Sequence, residues 1–183
     1  MPRSKRLLLL SHCLLNANAK VEGIEPYEGA FKPLILPLIE AGFGLIQLPC
    51  PELRHGGMRR WGQVKTQYDT PFYRAHCKTL LEPFVLEILE YQRCGYEVCG
   101  CIGVDGSPSC GVHRTCKGDW GGEIDESFCL ESCLESLREE NEAGVMIASL
   151  QALLAEHGIT LPFWAINEKS PHEEVATLLK ELS

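Results

Sequence analysis

Three cysteines stand where their side chains could do chemistry together. They are Cys13 in Ser11-His12-Cys13-Leu14-Leu15-Asn16, Cys50 in Leu48-Pro49-Cys50-Pro51-Glu52, and Cys110 in Asp105-Gly106-Ser107-Pro108-Ser109-Cys110-Gly111. Each follows a short apolar run. Three thiolates at close range repel one another, so together they call for a cation or a cluster. Soft sulfur ligands select zinc, Cu(I) or iron–sulfur clusters. A structural zinc site wants four ligands, usually in closely spaced cysteine pairs, and no such pair involves these three. A three-ligand iron–sulfur site leaves one iron open, which is the mark of a catalytic centre. The residue pattern alone leaves two readings standing: a catalytic metal centre, or thiols buried for packing, as cysteines often are.

The elements that must position these residues follow from hydrophobic patterning. Leu7 to Leu10, Phe43 to Leu48, Tyr96 to Val104 and Pro162 to Ile166 are runs apolar on both faces, suited to strands of a covered parallel sheet. Helical patterns lie between them. Leu34, Ile35, Leu38 and Ile39 precede Gly42, a C-terminal stop. Thr70-Pro71 reads as an N-cap with proline at the first helical position. It opens a stripe of Leu80, Leu81, Phe84, Val85, Ile88 and Leu89, with Pro83 expected to kink or divide the helix. Leu130, Cys133, Leu134 and Leu137 form another stripe, as do Met146, Ile147, Leu150, Leu153 and Leu154. Ser170-Pro171-His172-Glu173 has capping-box spacing before Val175, Leu178, Leu179 and Leu182. The alternation predicts a single α/β domain over 1–183: a doubly wound, Rossmann- or flavodoxin-like, mostly parallel sheet with helices on both faces. In such sheets ligands bind at the carboxyl ends of the strands, where all three cysteines would fall. The stretches 14–30, 51–69 and 105–126 are the expected functional loops.

Composition narrows the partners. The chain has 183 residues and a net charge of −8, which argues against a nucleic-acid polymer or an anionic membrane as the main partner. Its longest early apolar run, Leu7 to Leu10, is far too short for a signal-peptide core or a membrane span, so a cytoplasmic protein is expected. There the ten cysteines serve packing, redox chemistry or metal rather than disulfides.

The three cysteine blocks, in this order, resemble the signatures of the TudS family, bacterial proteins that include thiouracil desulfidase. The S-x-C-L-L, C-P-E and S-P-S-C-G blocks span about residues 7–167. Arg60 to Asp69 and Trp120-Gly121-Gly122-Glu123 are similar to a TudS-related branch. The chain departs from the thiouracil enzymes after the first block. They carry a C-R-Y-D-G-like stretch, and here Asn16-Ala17-Asn18-Ala19-Lys20-Val21-Glu22-Gly23 stands instead. The resemblance implies a [4Fe–4S] cluster held by Cys13, Cys50 and Cys110, with the fourth iron taking the sulfur of a small thiocarbonyl substrate. It implies hydrosulfide release from a thiolated nucleobase, nucleotide or related compound. The alternatives are a non-catalytic iron–sulfur or sulfur-handling module, and a metal-free thiol redox protein using Cys99-Gly100-Cys101 or Cys110 with Cys116.

Glu52, two residues past Cys50, is the candidate general acid/base, working best if burial raises its pKa. Ser107 and Ser109 are candidates for positioning substrate or donating to cluster sulfur, and both also suit a turn around Pro108. Gly106 and Gly111 are expected to let backbone N–H groups approach the cluster. His12 is read as structural, and His55 and His113 as minor substrate contacts. Cys99 and Cys101 are expected on one face of a strand, in the core, and Cys129 and Cys133 as a helix pair with Cys133 buried. Cys116 is a possible fourth ligand or persulfide carrier. Arg59, Arg60 and Lys65 form a basic cluster that would draw an anionic substrate or simply be solvated. No phosphate-binding G-x-x-x-x-G-K-[ST] loop and no G-x-S-x-G nucleophile elbow is present.

Overall fold

The structure, a computed structural model, describes residues 2–126, 128–168 and 171–182, with the backbone alone for 171–173. The capping box at Ser170 to Glu173 lies outside the fully described residues.

Four parallel strands form the main sheet: β1 (Arg6–Leu10), β2 (Gly44–Gln47), β3 (Glu97–Val104) and β6 (Phe163–Ile166), in the order β2-β1-β3-β6. The chain lays β2 on one side of β1 and β3 on the other. The carboxyl ends of β1 and β3 therefore flank a topological switch point. The alternation of β1 explains the layers. Leu7 and Leu9 face one core with α5 (Pro71–Arg93) and α7 (Val145–Glu156). Leu8 and Leu10 face the other, with α2 (Lys32–Glu40) and α8 (Pro171–Glu181). The doubly wound α/β architecture expected from the runs is the one observed.

Local signals carry much of this. Thr70 Oγ1 accepts from Tyr73 N–H at 3.2 Å, with Pro71 next, and starts α5. Gly42, at φ +81°, ends the turn after α2. Two helical expectations are corrected. Pro83 does not divide α5, which continues through it as one 23-residue helix. The stripe at Leu130 to Leu137 is not a core face: α6 (Leu130–Glu135) is one short helix with no buried residue, and Cys133 is only half-buried.

Cys99 and Cys101 also depart from expectation. β1 pairs Leu7 with Val98 but Leu8 with Gly100, so Cys99 is an extra residue in a bulge. The bulge shifts the parity of the strand. Cys101 is buried beside α5 and α7, while Cys99 packs with the opposite core. The two thiols stand on opposite faces, so Cys99-Gly100-Cys101 is not a dithiol pair. Only glycine fits at the centre, because a Cβ there would lie 2.3 Å from the Trp164 ring.

A second, antiparallel pair joins β4 (Thr115–Lys117) to β5 (Arg138–Glu140). It forms a small polar arm over the strand ends. Among the described residues no helix is long and apolar enough to cross a membrane.

Candidate functional site

Each cysteine is set by the end of its strand. After β1 the Ser11 N–H donates to Ile102 O, and the chain turns into α1 (His12–Leu15), which carries Cys13. After β2 the Leu48 N–H donates to Leu10 O at 2.8 Å, and Cys50 becomes the N-cap residue of α3 (Pro51–Gly56). Its Sγ accepts from Leu53 N–H at 3.4 Å. The His12 ring ties the two strand ends together, with Nδ1 3.1 Å from Leu48 O. This is the structural role expected of it, and burial lowers its pKa.

Cys110 sits in a loop built on one carboxylate. Asp105 Oδ1 accepts from the N–H groups of Val112, His113 and Arg114 at 2.9, 2.9 and 3.2 Å. Ser107 Oγ accepts from Cys110 N–H at 3.0 Å and Ser109 N–H at 3.3 Å. The carbonyls of Pro108 and Ser109 take the first free N–H groups of α7. The loop is thereby fastened at both ends. Gly106 and Gly111 do not offer their N–H groups to the cavity: the first donates to Arg114 O and the second to Ser107 O. Gly111 is needed for space, because a Cβ would stand 2.1 Å from Arg114 O.

Cys13, Cys50 and Cys110 line one cavity of about 540 Å³, together with Glu52 and Ser107. That volume suits a small molecule. All ten cysteines are free thiols. Burial pushes the Cys13 thiol up to about 12, with the Cys50 thiol and two carboxylates adding to the rise and Lys20 opposing it. Burial also raises Cys50 and Cys110, and Cys110 feels both other thiols. The three are thus electrostatic neighbours. Among the described residues no group of three or more His, Cys, Asp or Glu is arranged to hold a single metal ion. A cubane cluster spreads its ligand sulfurs over its corners, so it is not bound by that geometry.

Two observations fit a thiolate-held cluster. The donor set is three cysteines around one cavity. The Ser11 hydroxyl is buried, and the acceptor within its reach is the Cys110 sulfur, whose thiolate it favours. A buried hydroxyl set to donate to a candidate ligand suits a sulfur that is ionised.

Glu52 is held above the ordinary carboxylate range by burial, against the Ser109 hydroxyl, Arg60 and Lys20. Arg60 Nε lies 3.7 Å from Glu52 Oε2. Ser109 is fully buried behind the wall, and its Oγ is 3.0 Å from Tyr73 Oη. Ser109 therefore acts on the site through Glu52, whereas the Ser107 oxygen is taken up by the ligand loop.

Several other expectations are corrected. His55, His113, Arg59 and Lys65 do not line the cavity. Lys65, the first residue of α4 (Lys65–Tyr68), is buried and bound to Ala143 O at 2.7 Å and Glu142 at 3.0 Å, because the polar arm packs over it. The basic cluster is thus dispersed, and Arg60 alone of its members reaches the cavity. Cys116, on β4, lines the cavity, and Glu52 and Glu139 are the charged groups that raise its pKa, after burial. Lys20 and Glu168 also line it, 2.6 Å apart, and were missed. They lie 148 residues apart, a separation no local pattern bridges.

A search of curated proteins finds uncharacterized protein MJ0003 of Methanocaldococcus jannaschii, 33% identical over 156 residues, or 83% of this chain and 99% of that protein. The chain belongs to the MJ0003 family. No family model matches it, and no solved structure gives a significant match. In this member of the MJ0003 family the cavity is where the three cysteines, Glu52 and Lys20 come together.

Proposed function

We propose that this MJ0003-family protein is a [4Fe–4S]-dependent desulfidase. Its substrate would be a small thiocarbonyl compound, such as a thiolated nucleobase or nucleotide, and its product hydrosulfide. The resemblance to the TudS family stands behind this reading. The observation that carries it is the meeting of Cys13, Cys50 and Cys110 on one cavity with a buried carboxyl, Glu52.

The three cysteines would hold the cluster. Bound there, it would supply Lewis acidity toward the thiocarbonyl sulfur. The chain's own residues handle the water. In the overall change the water oxygen ends on carbon, the C–S bond breaks, and of the two hydrogens of water one leaves on sulfur as hydrosulfide and the other as a proton to solvent. Glu52 takes and returns a proton, and burial, by raising its pKa, favours its protonated form more than for a solvated carboxylate. Ser109, braced by Tyr73, fixes the direction of the Glu52 carboxyl. Ser107 and Asp105 hold the Cys110 loop rigid.

Anaerobic purification with iron and sulfide counts tests the reading, followed by a screen of thiolated bases and nucleotides for hydrosulfide. The wild type is expected to be brown, with ~4 iron per chain. Cys13→Ser, Cys50→Ser and Cys110→Ser each lose most of it, and Cys129→Ser, at an exposed thiol, keeps it. Glu52→Gln keeps iron and loses turnover. Equal iron in all four cysteine variants would falsify the ligand assignment. Full iron without hydrosulfide from any thiocarbonyl would favour a sulfur-handling module instead.

A further inference from the structure

We infer that Lys20, held in place by Glu168, is the counter-charge of the three-cysteine site. It is a positioning residue that sets the charge around the Cys13 and Cys110 sulfurs, and so the retention and potential of a cluster bound there. The inference rests on the function proposed above and deepens it.

The Lys20 side chain is only 10% exposed and lines the same cavity as the three thiols. Its Nζ donates to Glu168 Oε2 at 2.6 Å. An ammonium carries three donors, which leaves two beyond the one given to Glu168. Glu168 is fixed in turn, because Tyr27 Oη donates to its Oε1 at 2.7 Å and lies 3.2 Å from Cys13 O. Tyr27 thereby holds Glu168, and with it Lys20, beside the backbone of a candidate ligand.

The other cations on the cavity wall have local partners. Arg60 donates to the carbonyls of Ala19 and Gly57, faces Glu52 and is the cation that favours the Cys50 thiolate, which leaves Cys13 and Cys110 to Lys20. Arg114 is shared between Asp105 and Glu139, and Arg138 pairs with Glu140. Burial on its own would push the Lys20 ammonium down, but its partners, Glu168 among them, outweigh that and hold it above its ordinary value. Cys13 and Cys110 would join Glu168 as stabilising neighbours once ionised, as cluster ligands are. A buried ion pair is a poor device for stability, since desolvation consumes most of its attraction. Beside three sulfurs that must all be thiolates at once, a fixed positive charge has a use that an apolar pair cannot supply.

The test is the midpoint potential of the one-electron cluster couple, with the rate of iron loss to a chelator, in anaerobically reconstituted full-length protein. Lys20→Met removes the cation. It should lower the potential and speed iron loss by about 10- to 100-fold, as loss of an outer-shell partner does. Lys20→Arg should restore both. Glu168→Gln removes the opposing anion and should raise the potential. A packing role would move both variants the same way, or neither, and either result overturns the inference. Should Lys20→Met not fold, Glu168→Gln decides alone: an unchanged or lowered potential refutes the assignment. A wild type that takes up no cluster refutes the proposed function and this inference with it. That outcome is read before any variant is made, so the two failures are distinct.

Discussion

Asp105 is the side chain on which the Cys110 loop depends most. Its Oδ1 accepts three consecutive backbone N–H groups, and Arg114 Nε stands 3.6 Å from Oδ2. Asp105→Ala strips all three donors of their acceptor. His113 is exposed, so its N–H can turn to water, but Val112 and Arg114 have less access. Hydrogen bonds to a charged group contribute ~1.5–3 kcal/mol each. Two that cannot be replaced give a loss of roughly 3–6 kcal/mol. At this chain length that lowers Tm by roughly 6–24 °C. Asp105→Asn keeps a neutral acceptor and should lose about half as much. The assay is thermal and urea unfolding of each variant, with iron content measured in parallel. Iron should fall in step with stability, because Cys110 moves with the loop. An Asp105→Ala protein within ~0.5 kcal/mol of wild type, holding as much iron, would refute the account of how the third cysteine is placed.

Further outcomes follow from single features of the fold. Gly100→Ala places a Cβ 2.3 Å from the Trp164 ring and 2.7 Å from Pro162 O, and should cost ~1–3 kcal/mol in urea unfolding. Pro83 is exposed within α5, so Pro83→Ala should raise stability by up to ~3 kcal/mol, read as a higher Tm. Burial holds the Cys101 thiol at about 12. The unfolded chain sheds that proton near the ordinary value of 9.0, so the contribution is complete below pH 9 and is lost as pH rises toward 12. Cys101→Ala should flatten the fall of stability with pH in that window. Tyr73→Phe keeps the ring contacts and removes the hydroxyl from Ser109. It should retain iron, lower kcat more than KM, and cost ~1 kcal/mol.

What the sequence disclosed depended on range. Leu7 to Leu10 are buried throughout, as is the stripe of Met146, Ile147, Leu150, Leu153 and Leu154, so their patterns are strong and the elements sit where the runs do. The cysteines were legible for the same reason, since a strand end is a local event and three strand ends share an edge. The polar arm was not legible. Arg138-Glu139-Glu140 buries almost nothing, and only pairing with Thr115 to Lys117 makes it a strand. The parity shift at Gly100 was hidden because alternation assumes an unbroken ladder, and the reason for breaking it is Trp164, many residues away. Ser107 suited a turn around Pro108, and its oxygen closes the turn that carries Cys110. Lys20 and Glu168 each look like solvated charges until β6 brings them together.

That last pairing has a consequence for biogenesis. The first wall of the cavity is made near residue 13 and the last near residue 168, and the final strand enters only beside β3. A ribosome releases Cys13 well before Glu168, so the early cysteine waits for its last wall. Whatever occupies the pocket is fully surrounded only once β6 and Glu168 have emerged and docked beside β3.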